Sequence, residues 1–206
     1  MIATLYIDGA WRKASDGGAH DVQSPHDQRV VATVSQATQE DVLDAITAAR
    51  TSFDSGVFTS WTFSERSALV SKIADLLERD LKAIAKKESD DTGKRIIEAE
   101  YDIADVIATF RHFAALGLKQ HDRAVDVGLA HVTSRIVHEP LGVASLIGPW
   151  NYPLLQIAWK VAPALVAGCS FIVKPSELTP QSAIALMHAI DEASCDSPYS
   201  LNSPTN

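Results

Sequence analysis

The spacing of apolar and polar positions changes character twice along the chain. Near the N-terminus, TLYIDGAWRKA predicts a β-hairpin, because two short apolar stretches flank an Asp8-Gly9 turn. The stretch RVVATVSQAT predicts a further short strand. From Thr38 onward the apolar period becomes helical, and Thr38 with Asp41 three residues later predicts a capping box that opens a helix over QEDVLDAITAARTSF.

Two longer helices are predicted next. The first is expected to open at Ser64 and to run through SERSALVSKIADLLERDLKAIAKKES, whose apolar residues recur at helical spacing. The segment Asp90-Asp91-Thr92-Gly93 is predicted to break it. A third helix is predicted from about Lys94 through EAEYDIADVIATFRHFAALG.

The last third of the chain has the pattern of an α/β protein. AHVTSRIVHEP predicts a strand, and LGVASLI is a continuous apolar run typical of a strand buried on both faces of a parallel sheet. GPWNYP predicts a loop, Pro153 to Ala167 a helix that stops at Gly168, and CSFIVK a second strand. After the loop KPSEL, a helix is predicted from Thr179 to about Ala193. This order predicts a βαβ unit with a parallel sheet.

Polar residues follow both of the predicted parallel strands. Asn151 follows the first strand, and Lys174, Ser176 and Glu177 follow the second. Ligands bind at the carboxyl edge of such sheets. A lysine and a glutamate suit a ribose diol, and a neutral amide suits an oxygen that gains negative charge during a reaction. The alternatives are that Asn151 caps the next helix and that Lys174 and Glu177 form a surface ion pair.

Composition excludes several classes of partner. The 206 residues are 46% hydrophobic and 21% charged, with a formal net charge of -8 and no basic stripe, so we expect no nucleic-acid partner. The run from Leu141 to Trp159 has about the length of a membrane span, but its prolines and glycine would break a spanning helix, so we expect no membrane partner. Cys169 and Cys195 form no CxxC pair, and the N-terminus has no signal-peptide pattern. We therefore expect a cytoplasmic protein.

The segment EPLGVASLIGPWNYPLLQIAWKVAPALVAGCSFIVKPSELTP closely resembles the signature region of NAD(P)-dependent aldehyde dehydrogenases. PWNYPLLQ, AWKVAPAL and KPSE look most like the betaine aldehyde dehydrogenase branch of that family. LYIDGAW and ESDDTGK further upstream are also similar, so the resemblance covers roughly residues 4 to 192.

The resemblance implies roles for individual residues. Asn151 matches the oxyanion-hole asparagine, and Lys160 matches a lysine of a charge relay, although a helix-surface lysine is the alternative there. Asp91 matches a position that binds a monovalent cation. The residues that match the cofactor pocket are Ile147, Gly148, Pro149, Trp150, Lys174, Ser176 and Glu177.

The resemblance also implies an activity. It is the oxidation of an aldehyde, with betaine aldehyde as a candidate, to the carboxylic acid through a cysteine thioester. NAD is the expected cofactor and NADP the alternative; Glu177 would repel a 2′-phosphate and so favours NAD. Full-length members of the family form homodimers or homotetramers.

The implied fold is the N-terminal portion of an aldehyde dehydrogenase: a partial Rossmann-like parallel sheet, preceded by long helices and an N-terminal hairpin. We expect a partial NAD-binding domain over residues 1–193, including an oligomerisation strand at about 130–140, and a tail over 194–206 that is foreign to the family and disordered. Neither cysteine stands in the family's nucleophile motif, so the chain resembles an enzyme truncated before its nucleophile and general base. The alternative function is that of a catalytically inactive nucleotide-binding fragment or pseudogene product.

Overall fold

The computed structural model describes residues 2–120 and 122–195, and these form nine strands and six helices. The strands are β1 (Ile2–Ala3), β2 (Leu5–Ile7), β3 (Ala10–Arg12), β4 (Ala19–Gln23), β5 (Val30–Ser35), β6 (Arg123–Val125), β7 (Ser134–Ile136), β8 (Val143–Ile147) and β9 (Ser170–Lys174). The helices are α1 (Gln39–Asp54), α2 (Phe63–Arg79), α3 (Leu81–Thr92), α4 (Ile96–Gly117), α5 (Pro153–Ala167) and α6 (Gln181–Cys195).

The strands form four small sheets. β2 and β3 make the predicted antiparallel hairpin, with Asp8 and Gly9 both at positive φ in its turn. β1, β5 and β4 form a three-stranded sheet, and β6 pairs with β7. β8 and β9 pair in parallel, as the βαβ pattern predicts, with α5 as their connection. The α/β class is therefore confirmed.

The core lies between the long helices. Its largest fully buried side chains come from α2, α4, α5 and α6: Phe110, Ile73, Leu77, Ile103, Leu154, Ile157 and Leu186. The prediction that β8 is buried on both faces is wrong for the described chain, since Leu146 is buried but Ile147 is 62% exposed. Within the described residues, β8 and β9 form a sheet of two strands, in which Ser145, Ile147 and Lys174 are exposed. None of the helices in the described part of the chain has the length and apolar composition to cross a membrane.

Helix boundaries differ from the predictions where capping chemistry was misread. α2 begins at Phe63 rather than at Ser64, because the side chains of Thr62 and Glu65 form a reciprocal capping box. The long predicted helix is also divided at Asp80 into α2 and α3. α6 ends at Cys195, two residues past the predicted end, and the rest of the tail predicted from residue 194 lies outside the described residues.

A buried arginine joins α2 to the end of α5. Arg66 is 4% exposed, and its guanidinium donates to the carbonyls of Val166 (2.9 Å) and Trp61 (2.5 Å). Gly168 stops α5 at φ 83°, where a Cβ would lie 2.9 Å from Arg66 Nη1. Glycine is therefore required at the stop both by its backbone conformation and by the close arginine.

Asp91 joins α3 to the start of α6. Its carboxylate is 3% exposed and accepts from the Gln181 backbone N–H (2.9 Å) and from Gln181 Nε2 (2.6 Å). Burial raises the pKa of Asp91 to about 6, although the two Gln181 donors favour the charged form. The carboxylate therefore changes its charge at mildly acidic pH.

We expect Asp91 to make the free energy of unfolding depend on pH. Its folded-state pKa of about 6 lies above its ordinary value, so the native state binds more protons between about pH 4 and pH 6. This contribution to stability is fully present below about pH 4 and is lost as the pH rises through about 6. Asp91→Asn should therefore match the wild type near pH 4 and exceed it by about 3 kcal/mol at pH 7. Urea unfolding at a series of pH values measures the difference.

Asp75→Asn serves as the control, since Asp75 is an aspartate of α2 with a side chain 68% exposed. This variant should keep the wild-type slope between pH 4 and pH 6. A difference between Asp91→Asn and wild type that stays constant across this range would contradict the assignment of the titration to Asp91.

Candidate functional site at the carboxyl edge of β8 and β9

The register of β8 and β9 brings the predicted site loops together. Ile147 lies opposite Lys174, so both strands end at the same edge. The Gly148 N–H then donates to the Lys174 carbonyl at 3.0 Å, which joins the two loops directly beyond the strands. We call this edge, with the loops 148–152 and 174–179, the rim.

Asn151 lies in the first rim loop with its side chain exposed. The N-cap residue of α5 is Tyr152, at φ 48° and ψ 50°, and no side chain caps that helix. The alternative that Asn151 caps α5 is therefore wrong. Within the described residues the Asn151 amide makes no side-chain hydrogen bond, so its donors face solvent and are available to a ligand.

The backbone of this loop is closely packed although its side chains are not. Gly148 is buried, and a Cβ at that position would lie 2.6 Å from Ile157 Cγ1 of α5. The Thr179 hydroxyl, itself buried, donates to the Trp150 carbonyl at 3.2 Å. Ile147 and Trp150 are 62% and 61% exposed, so the loop presents two apolar surfaces beside Asn151.

The second rim loop carries an exposed ion pair. Lys174 Nζ lies 3.4 Å from Glu177 Oε2, and the two side chains are 61% and 68% exposed. The Glu177 backbone N–H and Lys174 together lower the pKa of Glu177. A pair this exposed contributes little to stability because solvent screens it, so it can open onto a ligand at little cost. Ser176 is used within the loop, where its hydroxyl accepts from the Leu178 N–H at 3.2 Å.

The structure places two other predicted residues away from the Asn151 side chain. Lys160 is half-buried on α5 and donates to the Gln156 carbonyl at 2.8 Å, one turn earlier. Its role in a charge relay stays a prediction. Asp91 lies behind the second rim loop, where it holds Gln181, and the described residues contain no group of three or more His, Cys, Asp and Glu side chains suited to a metal ion.

Neither cysteine lies at the rim. Cys169 is buried and precedes β9, so it lies at the opposite end of the five-residue strand from Lys174, about 15 Å away. Cys195 is exposed at the last position of α6, whose 15 residues place it about 20 Å from the start of that helix. Both positions agree with the sequence-based expectation that neither cysteine is the nucleophile.

A groove between α4 and α5 was not predicted. One cavity of about 450 Å³ begins at Asn151 and is lined by Thr92, Gly93, Lys94, Glu98, Tyr101, Asp102, Trp150, Asn151 and Tyr152. A second cavity of about 420 Å³ is lined by Asp105, Ala108, Thr109, His112, Phe113, Leu155 and Trp159. Both lie along α4, the first against the loop that precedes α5 and the second against α5 itself, and we call them together the α4/α5 groove. Its signal in the sequence was the helical spacing of Glu98, Tyr101, Asp102 and Asp105, which places acidic and aromatic side chains on one face of α4.

Two further contacts at the site were also missed. A ring nitrogen of His20, on β4, lies 3.0 Å from the Glu177 carbonyl oxygen. Lys94 lies with its ammonium 4.7 Å from the centroid of the Tyr152 ring. Both residues are distant in sequence from the loops they contact, so no local pattern predicts these contacts.

Known proteins resemble this chain over most of its length. The model of the aldehyde dehydrogenase family matches residues 11–199. Betaine aldehyde dehydrogenase of Bacillus subtilis is 42% identical over 193 residues, which are 94% of this chain and 39% of the relative. Human retinal dehydrogenase 2 is 39% identical over 191 residues, which are 92% of this chain and 37% of that protein.

A solved structure extends the likeness to three dimensions. The crystal structure of betaine aldehyde dehydrogenase from Staphylococcus aureus in complex with NAD+ superposes with a TM-score of 0.90 at 41% identity, covering 93% of this chain and 38% of that one. The chain thus spans about two fifths of the length of the relatives it matches. The family match over most of its length, together with the shared fold, shows that the chain belongs to the aldehyde dehydrogenase family.

Proposed function

We propose that this chain forms the oxyanion-stabilising and cofactor-binding part of an NAD-dependent aldehyde dehydrogenase. The observation that carries the proposal is the rim itself, where the unbonded amide of Asn151 and the Lys174–Glu177 pair follow two adjacent parallel strands. The reaction converts an aldehyde, NAD+ and water to a carboxylic acid, NADH and a proton. NAD+ supplies the hydride acceptor when it is bound.

The residues of the chain act by positioning and electrostatics. A cysteine thiolate that attacks an aldehyde leaves negative charge on the former carbonyl oxygen, and the Asn151 N–H is placed to donate to it. Removal of one such donor typically lowers a rate by about 10²–10³. Cys169 and Cys195 lie at the far ends of β9 and α6, so the thiolate must come from a polypeptide segment other than these two positions.

The cofactor is proposed to lie along the rim. Lys174 donates to, and Glu177 accepts from, the two hydroxyls of the adenosine ribose, while Ser176 shapes the loop between them. Ile147, Gly148, Pro149 and Trp150 form the neighbouring wall, in which the exposed Ile147 and Trp150 side chains offer apolar contact to a flat ring. The exposed Glu177 carboxylate repels a 2′-phosphate, which favours NAD over NADP.

Asp91 and Lys160 have supporting roles in this proposal. The Asp91 carboxylate has lone pairs beyond the two that Gln181 occupies, so a monovalent cation can bind there once the carboxylate is ionised. Such a cation would stabilise the charged form of a group that burial alone makes costly. Lys160 is proposed to take part in a charge relay, the role that its match to the family's helix lysine implies.

The charge of the α4/α5 groove supports a cationic aldehyde as the substrate. Family membership alone does not select the substrate, since relatives of similar identity are named for betaine aldehyde and for retinal. The groove combines two exposed aromatic rings, Tyr101 and Trp159, with the exposed carboxylate of Asp105. Aromatic faces and a nearby carboxylate attract a quaternary ammonium group, such as that of betaine aldehyde, rather than a neutral polyene.

A second candidate function is cofactor binding without catalysis. The observation that favours it is the distance of both cysteines from the rim. In this case the chain would bind NAD or associate with complete dehydrogenase subunits, and it would turn over no aldehyde by itself.

Titration of the purified chain with NAD and NADP tests the cofactor proposal. We expect calorimetry to detect NAD binding and to show weaker NADP binding, because Glu177 and a 2′-phosphate repel each other. Addition of betaine aldehyde to the NAD complex should form no NADH, since no thiolate of this chain reaches the rim. Glu177→Gln should reduce the preference for NAD by about tenfold, because the variant loses the charge that repels the 2′-phosphate.

Glu100→Gln is the matched control, because Glu100 lies on α4 and lines neither cavity. It should leave the preference unchanged. NADP binding tighter than NAD would refute the assigned role of Glu177, and rapid NADH formation would refute the exclusion of Cys169 and Cys195.

A choline titration tests the proposed charge of the substrate. Choline carries the trimethylammonium group without a reactive aldehyde, and 3,3-dimethylbutanol is its neutral isostere. We expect choline to quench tryptophan fluorescence at lower concentrations than the isostere, because Trp159 lines the groove. Asp105→Asn should weaken choline binding by about threefold to tenfold and leave the isostere unaffected, within the range for partly exposed charges. Equal binding of the two alcohols would contradict the proposal.

The β6–β7 hairpin is the proposed contact between subunits. β7 covers only Ser134–Ile136 of the strand expected over about 130–140, and its partner β6 was not predicted. Exposed apolar side chains surround the hairpin: Val127, Leu129, Val132 and Val137. A two-stranded sheet with free edges and apolar flanks favours pairing with a second copy.

We therefore expect the chain to sediment as a dimer or tetramer. Val137→Lys, at a side chain 52% exposed, should shift the chain toward the monomer by placing charge in the contact. Val57→Lys, at a side chain 44% exposed after α1, should not. A wild-type chain that sediments as a monomer at high concentration would contradict the proposed contact.

A further inference from the structure

We propose that Lys94 is a positioning residue for Asn151, which it holds in place through the ring of Tyr152. The proposal rests on the proposed role of Asn151, but the arrangement that carries it is independent of any reaction. The Lys94 ammonium lies 4.7 Å from the centroid of the Tyr152 ring, and Tyr152 directly follows Asn151. Both residues line the cavity that begins at Asn151.

Tyr152 needs an external contact to keep its conformation. At φ 48° and ψ 50° it occupies the left-handed region, which is unfavourable for a residue with a large side chain. Pro153 disfavours the right-handed helical conformation for the residue before it, which leaves Tyr152 few alternatives. The ring is 52% exposed, so core packing does not fix it.

Lys94 is held where it can supply that contact. Its side chain is 16% exposed, its ammonium forms a short ion pair with Asp102, and it lies 3.6 Å from Glu88 Oε1. Glu88 is fully buried, and burial raises the pKa of its carboxyl group. Because the Asp102 carboxylate on α4 fixes the ammonium, the cation over the ring is already ordered before any ligand arrives.

The neighbouring residues of Asn151 are thus fixed from two different directions. Thr179 donates to the Trp150 carbonyl on one side, and Lys94 faces the Tyr152 ring on the other. The Asn151 side chain between them makes no hydrogen bond within the described residues. Its orientation therefore depends on the two anchors, and loss of either one lets the amide rotate away from the rim.

Lys94→Met removes the charge while keeping most of the side-chain volume. Two measurements report whether the loop around Asn151 keeps its conformation. The first is hydrogen exchange of the Gln156 amide, which donates to the Tyr152 carbonyl at 3.0 Å, with the Gly148 amide as an internal reference. The second is the pair of Asn151 side-chain NH2 resonances. We expect Gln156 exchange to accelerate by about fivefold to thirtyfold, the Asn151 resonances to move toward solvent-averaged values, and Gly148 to be unchanged.

Lys94→Arg separates positioning from general stability, because a guanidinium also binds an aromatic face. This variant should restore slow exchange. Lys86→Met, which removes an exposed lysine paired with Asp90 on α3, should behave as wild type. Equal acceleration in Lys94→Met and Lys94→Arg would overturn the proposal, as would wild-type behaviour of Lys94→Met.

Substitutions of Tyr152 provide a second test, which leaves the buried charges intact. They test the positioning role even if Lys94→Met does not fold. Tyr152→Leu removes the ring and should give the same accelerated exchange and mobile amide, whereas Tyr152→Phe keeps the ring and should match wild type. Identical exchange in the leucine and phenylalanine variants would refute the proposal. No cofactor or aldehyde enters these measurements, so a failure of the chain to bind NAD would count against the proposed function alone.

Discussion

The in-register parallel pairing of β8 and β9 is the constraint on which the site depends. It sets Ile147 opposite Lys174, so that the Gly148 amide meets the Lys174 carbonyl where both strands end. A slip of one residue would turn every side chain of one strand to the opposite face and break this bond. Gly148 has no space for a side chain beside Ile157, which fixes how closely the loop approaches α5. The positions of Asn151 and the Lys174–Glu177 pair follow from these contacts.

Residues that are distant in sequence contact the rim loops and hold them in place. Asp91 of α3 accepts from Gln181 at the start of α6, and His20 of β4 lies against the Glu177 carbonyl. On the groove side, α4 contributes Asp102, which fixes the ammonium of Lys94. The long helices thus do more than form a core, because they fix both loops of a two-stranded sheet that offers little support of its own.

The sequence predicted the elements whose signals are local. Pro153 and Gly168 marked both ends of α5, and Thr38 with Asp41 marked the start of α1, because each of these signals acts within a few residues. The start of α2 was misplaced because Ser64 competed with Thr62, and only the reciprocal bonds with Glu65 decide between them. β4 and β6 were missed because AHDVQ is largely polar and RAV is only three residues long, so both acquire strand geometry from their partners. The rim residues were found through chain order, but Lys94, Thr179 and His20 act across long separations that no periodicity records.

The rim combines a fixed backbone with exposed side chains. The loop backbones are bonded and closely packed, whereas Asn151 and the Lys174–Glu177 pair remain in water. In water an amide or an ion pair of this kind is worth little, because solvent competes for each contact. In the proposed complex, a flat ligand that covers the apolar surfaces of Ile147 and Trp150 would displace water, and the same donors would then act in a lower dielectric. Because the bonded backbone already fixes the positions of these groups, the proposed site would act through preorganisation, and its strength would depend on how completely the ligand and its surroundings exclude water.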